Sequence, residues 1–285
     1  TAMKNVLDSN GYAGKYVMQS FGTSELGGKL LAEGSNLEAD LVTMSTFYLQ
    51  SAQDTNHMFL PLDFEVKTLE EFPDTCAPIT SQEGAIILNT ELMASEGLPT
   101  PTSLKDLADP VYAGQVAVTD IQSSSTAWLL IQALVDAYGE DGAEETLAAI
   151  YDNCGAHIET SGSGPLKLCR AGEVAIGFGL RHQAVADKAE GLPIDYVDPT
   201  EGNFSLTESV AIVDKGESTN PLAMKMAQCI IENGRAELQE NYPNPLYEGE
   251  SADSANKSAY PKTFQEPLTF ELYEKHQQIS EAAKP

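Results

Sequence analysis

Short apolar runs alternate with amphipathic stretches along this chain. The runs Lys15–Phe21, Ala39–Met44, Gly84–Asn89, Gly114–Thr119, Ala156–Thr160, Val174–Phe178, Pro193–Val197 and Ser209–Val213 read as strands, most of them apolar enough to be buried on both faces. Apolar residues at helical spacing predict helices over Thr126–Tyr138, Glu144–Tyr151, Pro221–Tyr242 and Thr269–Ala283, and residues 1–11 also read as helix. Strand–helix alternation predicts an α/β fold with largely parallel sheets. Residues 244–267 are rich in Pro, Ser, Glu and Tyr and read as surface loop. No internal repeat is visible.

Two segments look like crossovers between lobes. Pro78–Asn89 leads into the Pro-rich loop Leu98–Leu107, and Thr200–Val213 leads into the long helix near the C-terminus. The organisation expected is residues 1–86 in one lobe, 87–205 in a second, and 206–285 returning to the first.

One local device recurs three times, as a knot of Ser, Thr and Gly expected after a strand and before a helix. The knots lie at Gln19–Gly28, Asp120–Trp128 and Glu159–Pro165. A helix N-terminus presents unpaired N–H groups and about half a positive charge, so small residues there let an anion approach the backbone. A single such knot is ordinarily a helix cap. Three of them suggest several helix ends converging on one small anion. Thr23 and Ser24 fall in the first knot, Ser124, Ser125 and Thr126 in the second, and Ser161 and Ser163 in the third. Thr43, Ser45 and Thr46 follow another strand and could add a wall.

Charge sharpens this picture. The 285 residues carry 43 acids against 16 bases, a formal net charge of −27. Such a surface argues against nucleic acid and anionic membranes as partners. Screening within about 10 Å leaves a local donor pocket free to act. Arg170, Arg181 and Arg235 are the only arginines. Arg181 follows a strand within a few residues, where a guanidinium could grip an oxyanion with two parallel hydrogen bonds, or could form a salt bridge instead. Arg170 and Arg235 read as structural. Glu208 stands between Thr207 and Ser209 on the second crossover, suited to an ammonium group or to hinge hydrogen bonding, with Glu83 and Asp120 as weaker candidates. Cys76, Cys154, Cys169 and Cys229 lack metal-like spacing and read as buried thiols, with up to two disulfides as the alternative. No apolar run is long enough to span a bilayer. The opening Thr-Ala-Met-Lys is expected to follow a removed targeting segment.

The stretch Pro101-Thr-Ser-Leu-Lys-Asp-Leu-Ala-Asp-Pro-Val-Tyr-Ala-Gly-Gln-Val-Ala-Val-Thr-Asp120 is similar to a run, P-x-S-W/L-x-D-L-x-D-P-x-Y-x-G-K-V-A, found in the solute-binding proteins of ABC importers. The resemblance continues through Ser161–Gly179 and Glu208-Ser-Val-Ala-Ile-Val, and covers most of residues 12–248. It is strongest to members that bind 2-aminoethylphosphonate or phosphorylated small molecules, and to their ferric-binding relatives. It implies a two-lobed periplasmic-binding-protein-like fold of type II with two crossover strands. Family members open with an apolar strand, whereas residues 1–11 here read as helix.

The resemblance also implies a role. An extracellular, surface-anchored or periplasmic monomer would capture a small phosphorus-containing anion in the cleft between its lobes, close, and be read by a membrane permease. Thr23, Ser24, Ser45, Ser124, Ser125, Thr126, Ser161, Ser163, Arg181 and Glu208 are the expected ligand contacts, with no cofactor, metal or catalytic set. Ferric binding is the alternative within the family, but 11 tyrosines without an adjacent pair and four histidines without H-x-H or H-x-x-H spacing argue for an oxyanion. A sensing receptor and an enzyme on the same fold are the other-class alternatives. Lys29 is followed by Leu30, so a phosphate loop lacks its magnesium hydroxyl, and no G-x-S-x-G elbow is present.

Overall fold

The computed structural model describes residues 2–266 and 268–285. Thr1 and Pro267, at the ends of the expected first helix and surface loop, lie outside the described residues. The chain divides into two compact units, Thr1–Ser81 with Leu206–Ala252, and Gln82–Ser205 with Asp253–Pro285.

In the first unit, α1 (Ala2–Leu7) runs into a π-type turn, Asp8–Tyr12, followed by α2 (Thr23–Glu33), β1 (Leu41–Ser45) and α3 (Thr46–Asn56). Strand β2 (Cys76–Asn89) begins here and continues into the second unit, and β7 (Asn203–Ile212) makes the return crossing. β1 pairs antiparallel with β7, setting Leu41 opposite Ile212 and Ser45 opposite Glu208. Helix α8 (Pro221–Asn241) packs on α1. Val6, Leu7, Ile79, Val210, Ile212 and Ile230 form the core between them.

The second unit adds α4 (Thr90–Ser95), β3 (Val116–Thr119), α5 (Thr126–Cys154), β4 (Ile158–Glu159), α6 (Gly164–Ala171), β5 (Ile176–Leu180), α7 (Arg181–Ala189), β6 (Ile194–Val197), β8 (Pro261–Lys262) and α9 (Phe270–Ala283). β3 lies between β4 and β5 and is parallel to both, whereas β2 pairs antiparallel with β5 and β6. The core holds Ile87, Ala117, Leu166, Cys169, Val174 and Ile194.

Three readings need correction. The sheets are mixed rather than largely parallel, because both long crossing strands run antiparallel to neighbours. Lys15–Phe21 forms no strand: Val17 is 88% exposed, with Met18 and Phe21 exposed beside it, so the run has no partner to cover its apolar side chains. The two helices expected over 126–151 are present as the two arms of α5, which breaks at Gly139, φ 70° and ψ 175°, directly after Tyr138. Helix α9 packs on α5 of the second unit and not with the flanking pieces; Tyr151 OH meets Ser280 Oγ at 2.6 Å in that contact. All four cysteines are buried and free. Burial pushes the Cys76 thiol up to about 11 and Cys154 and Cys169 to about 12.

Candidate functional site: a hydroxyl cradle and a buried carboxyl

Strands β3 and β4 lie side by side, so the chain segments leaving them are neighbours. Each segment is a Ser/Thr knot, and each opens a helix, α5 at Thr126 and α6 at Gly164. The N-cap residues Ser125 and Ser163 make no side-chain cap bond, while Ser124 Oγ accepts from the Thr126 amide at 3.4 Å. Gly162 lies against the second knot so closely that a Cβ there would collide with Thr126 Oγ1 and come within 3.4 Å of Ser124 Oγ. Ser161 Oγ and Ser163 Oγ are 3.2 Å apart. Ser124, Thr126, Ser161 and Ser163 therefore gather around one glycine, a cradle of hydroxyls held by the sheet. The amides of Ser123 and Ser124 are engaged by the Asp120 carbonyl, each at 3.0 Å, so the Ser124 amide, expected to face an anion, is already bonded within the turn. Ser125 takes the N-cap position of α5.

The first knot behaves differently. Thr23 and Ser24 open α2 in the first unit, half-buried, and no described strand leads into them. In the same unit, Ser45 ends β1 directly opposite Glu208, which puts both side chains on one face of the sheet. Ser45 caps no amide of α3 with its side chain. Thr46 Oγ1 is engaged, 3.1 Å from the Thr207 carbonyl, 2.8 Å from Thr207 Oγ1 and 2.7 Å from Ser209 Oγ. Thr43 sits within β1. Glu208 accepts a 3.3 Å bond from Thr80 Oγ1. Burial pushes its carboxyl above the usual range, and the Thr80 bond only partly opposes this.

Arg181 is not an anion clamp. It is 4% exposed. Its Nε and Nη2 donate to the two oxygens of Asp198 at 2.7 and 3.2 Å, Nη1 donates to the Ala255 carbonyl at 2.8 Å, and Nη2 also reaches the Lys257 carbonyl at 3.4 Å. Its plane lies over Tyr196 at 4.7 Å. Asp198 also accepts from Asn203 Nδ2 and the Ala259 amide, each at 2.9 Å. Burial opposes the Asp198 charge, but the Arg181 bond and the Ala259 amide outweigh it and hold the carboxyl below its usual range. The guanidinium thus fixes the segment 255–259 to the second unit. Glu83 accepts from Ser258 Oγ at 3.1 Å in this neighbourhood, and burial pushes its carboxyl up. Arg170 and Arg235 are structural, paired with both oxygens of Asp187 and Glu250 respectively.

Sequence reasoning missed the partners. Asp198 lies 17 residues from Arg181 with no periodic signal to join them. The cradle glycine was visible, since Ser161-Gly162-Ser163 spells it out, but its contact with Thr126 was not. Among the described residues no group of three or more His, Cys, Asp and Glu stands together to hold a metal, and no helix is long and apolar enough to cross a membrane.

Comparison with known proteins converges on one family. The solved structure of iron-bound HitA from Pseudomonas aeruginosa superposes with a TM-score of 0.78 at 17% identity, over 99% of this chain and 94% of that one. The periplasmic binding protein AfuA from Actinobacillus pleuropneumoniae, with fructose-6-phosphate bound, gives 0.73 at 20% identity, over 99% and 93%. Both show the periplasmic-binding-protein fold. An Fe(3+)-binding periplasmic protein of Serratia marcescens is 27% identical over 183 residues, 62% of this chain and 52% of its own length. The chain spans about half the length of the curated relatives it matches. The family model of bacterial extracellular solute-binding proteins matches residues 43–266, most of the chain, and the chain belongs to that family.

Proposed function

We propose that this protein captures a small oxyanion, a phosphonate or a phosphate ester, outside the cell and hands it to the membrane permease of an ABC importer. The two units serve as the lobes. The observation that carries the reading is the approach of Gly162 to Thr126, which gathers four hydroxyls beside the starts of two helices. Hydroxyl donors and the positive ends of α5 and α6 suit an anionic oxygen. Ser124, Ser125, Thr126, Ser161 and Ser163 are the proposed oxyanion contacts. In the first unit Ser45 and Glu208 are proposed solute contacts, with Thr23 and Ser24 as further ones. A buried carboxyl held by one hydroxyl fits a solute that brings a positive group. The role is capture and delivery, with no chemical step.

Ferric ion is the second reading, favoured by the likeness to the Serratia protein and to HitA. The donor chemistry favours the first, because the cradle is made of neutral hydroxyls, whereas a hard trivalent cation calls for anionic oxygen. Thermal unfolding decides between them. A ligand at about 1,000 times its dissociation constant stabilises by about 4 kcal/mol, a shift of several degrees for a chain of this length. We expect that shift with 2-aminoethylphosphonate or a small phosphate ester and none with ferric citrate. A red-purple charge-transfer colour with iron and no shift from any phosphorus compound would restore the metal reading.

A further inference from the structure

We propose that helix α9 is a positioning element for the cradle, acting through Tyr273, His276 and Lys284. This rests on the oxyanion reading for its effect on affinity, though not for its effect on the loop. The turn Asp120–Ser125 connects β3 to α5 and carries half of the cradle. Four contacts tie it and the first turn of α5 to α9. Tyr273 OH donates to the Ile121 carbonyl at 2.7 Å, in a fully buried position. Trp128 Nε1–H donates to His276 Nδ1 at 2.7 Å. Gln122 Nε2 reaches the Gln277 carbonyl at 3.4 Å. Lys284 Nζ lies 3.3 Å from Asp120 Oδ2.

Each contact acts on a group that shapes the cradle. Ile121 directly precedes the Ser-rich turn, and its carbonyl points into protein, where only Tyr273 OH is described as its side-chain partner. Asp120 organises the turn itself: its side chain accepts from the Gln122 amide at 3.1 Å and its carbonyl from those of Ser123 and Ser124. Trp128 sits two residues beyond Thr126, and its ring meets Tyr273 edge-on with centroids 5.0 Å apart. Because His276 accepts at Nδ1, its proton resides on Nε2, and the imidazole is a neutral acceptor. The hydroxyls of Ser124 and Thr126 are thus aimed by a helix more than 140 residues away in sequence. Holding a donor to within a fraction of an ångström is what separates a binding hydroxyl from a solvated one.

Amide hydrogen exchange and affinity for 2-aminoethylphosphonate, measured on Tyr273→Phe, test this. The variant keeps the buried ring and loses only the donor. Exchange at the amides of residues 121–127 is expected to rise about tenfold while α9, α6 and β5 keep their protection, since local opening is read residue by residue. Affinity is expected to fall about tenfold. Lys284→Gln, at the partly exposed end of α9, should raise exchange at residues 120–124 about threefold, and keeps the test available should Tyr273→Phe fold poorly. His276→Gln, whose amide oxygen can still accept from Trp128, should restore most of the affinity that His276→Leu loses. Unchanged exchange over residues 121–127, or a rise spread evenly over the unit, would overturn the positioning role. If the wild-type protein does not bind the probe, the oxyanion reading fails, and the exchange pattern still decides the role of α9.

Discussion

Two regions of the second unit meet anionic groups in opposite ways. At the Arg181 knot a full positive charge is buried and satisfied by a carboxylate, two carbonyls and an aromatic face. At the cradle, neutral hydroxyls gather where two helices begin, bonded to one another and to the Thr126 amide, with the Glu159 carboxylate lying against Gly164 at the start of α6. In a chain with 43 acids, an arginine placed near a strand end is readily taken by the protein's own carboxylates. Hydroxyls escape that competition, since an exposed acid gains little from them. The residues proposed for a ligand are therefore hydroxyls with only mutual or backbone partners, not the groups with the strongest intrinsic affinity for anions.

The largest effect should come from Arg181→Ala. It leaves Asp198 buried without its cation, a class of change that costs about 3–5 kcal/mol. Urea unfolding should show that loss, with the affinity of whatever folds left near wild type. An affinity lost at full stability would move Arg181 back into the site and erase the contrast between the two regions. Arg170→Ala also leaves a buried carboxylate, Asp187, without its cation, but the Arg170 side chain is 44% exposed and water can enter the space it vacates, so the cost should be smaller.

Next in size is a pH effect on the packing that supports the cradle. Burial holds His276 and His182 neutral, with pKa near 4 against an unperturbed value of 6.5. Between those values the unfolded chain binds more protons than the folded one. Stability is thus complete above about 6.5 and is lost as pH falls toward 4, by up to about 3 kcal/mol for each histidine. His276→Gln should flatten that decline between pH 6.5 and 4.5 in thermal unfolding. A slope identical to wild type would show that His276 is not the titrating group.

How much of this could be read from the chain alone divides along the same line. The knots at Ser123–Thr126 and Ser161–Ser163 were legible because they are local: composition and strand–helix order announce them. The run Lys15–Phe21 has strand composition too, yet it remains unpaired, because pairing depends on a neighbour that composition cannot supply. The same limit hid the Arg181–Asp198 pair and put α9 with the wrong partner. Helix α9 has an amphipathic face, but amphipathicity says only that something covers it, and that turned out to be α5. The crossing strands were visible as long apolar runs, while their antiparallel pairing was not.

A smaller but more selective effect belongs to Gly162→Ala. The new methyl would press on Thr126 Oγ1 and Ser124 Oγ at the centre of the cradle. Overpacking of this kind costs roughly 1–3 kcal/mol. Here the group struck is the buried Thr126 side chain, with the half-buried Ser124 hydroxyl beyond it, so we expect the middle of that range in stability and about a tenfold loss of phosphonate affinity by calorimetry. Normal affinity in a folded Gly162→Ala protein would detach ligand binding from the cradle.

The smallest expected change is a gain. Glu208 is a buried carboxyl whose pKa is raised by desolvation, with the Thr80 hydroxyl as its described hydrogen-bond partner. A raised folded-state pKa means that the folded protein binds the proton more tightly than the unfolded one. The contribution to stability is therefore most favourable below the ordinary carboxyl range and declines as pH rises through the folded value. Wherever the carboxyl is ionised, the fold carries a charge that burial disfavours. Glu208→Gln removes that charge, keeps the shape and can still bond Thr80. It should raise the melting temperature at pH 7 by a few degrees, on the order of 1 kcal/mol, and the advantage should vanish as pH falls below about 4.5, the ordinary glutamate range. If the carboxylate is kept for a solute, the stabilised variant should also bind an amine-bearing phosphonate more weakly than wild type while treating its alkyl analogue alike. A variant that is less stable at pH 7 would show the carboxylate to be a structural hub like Asp198, and the first unit would then hold its charge in the manner of the Arg181 knot.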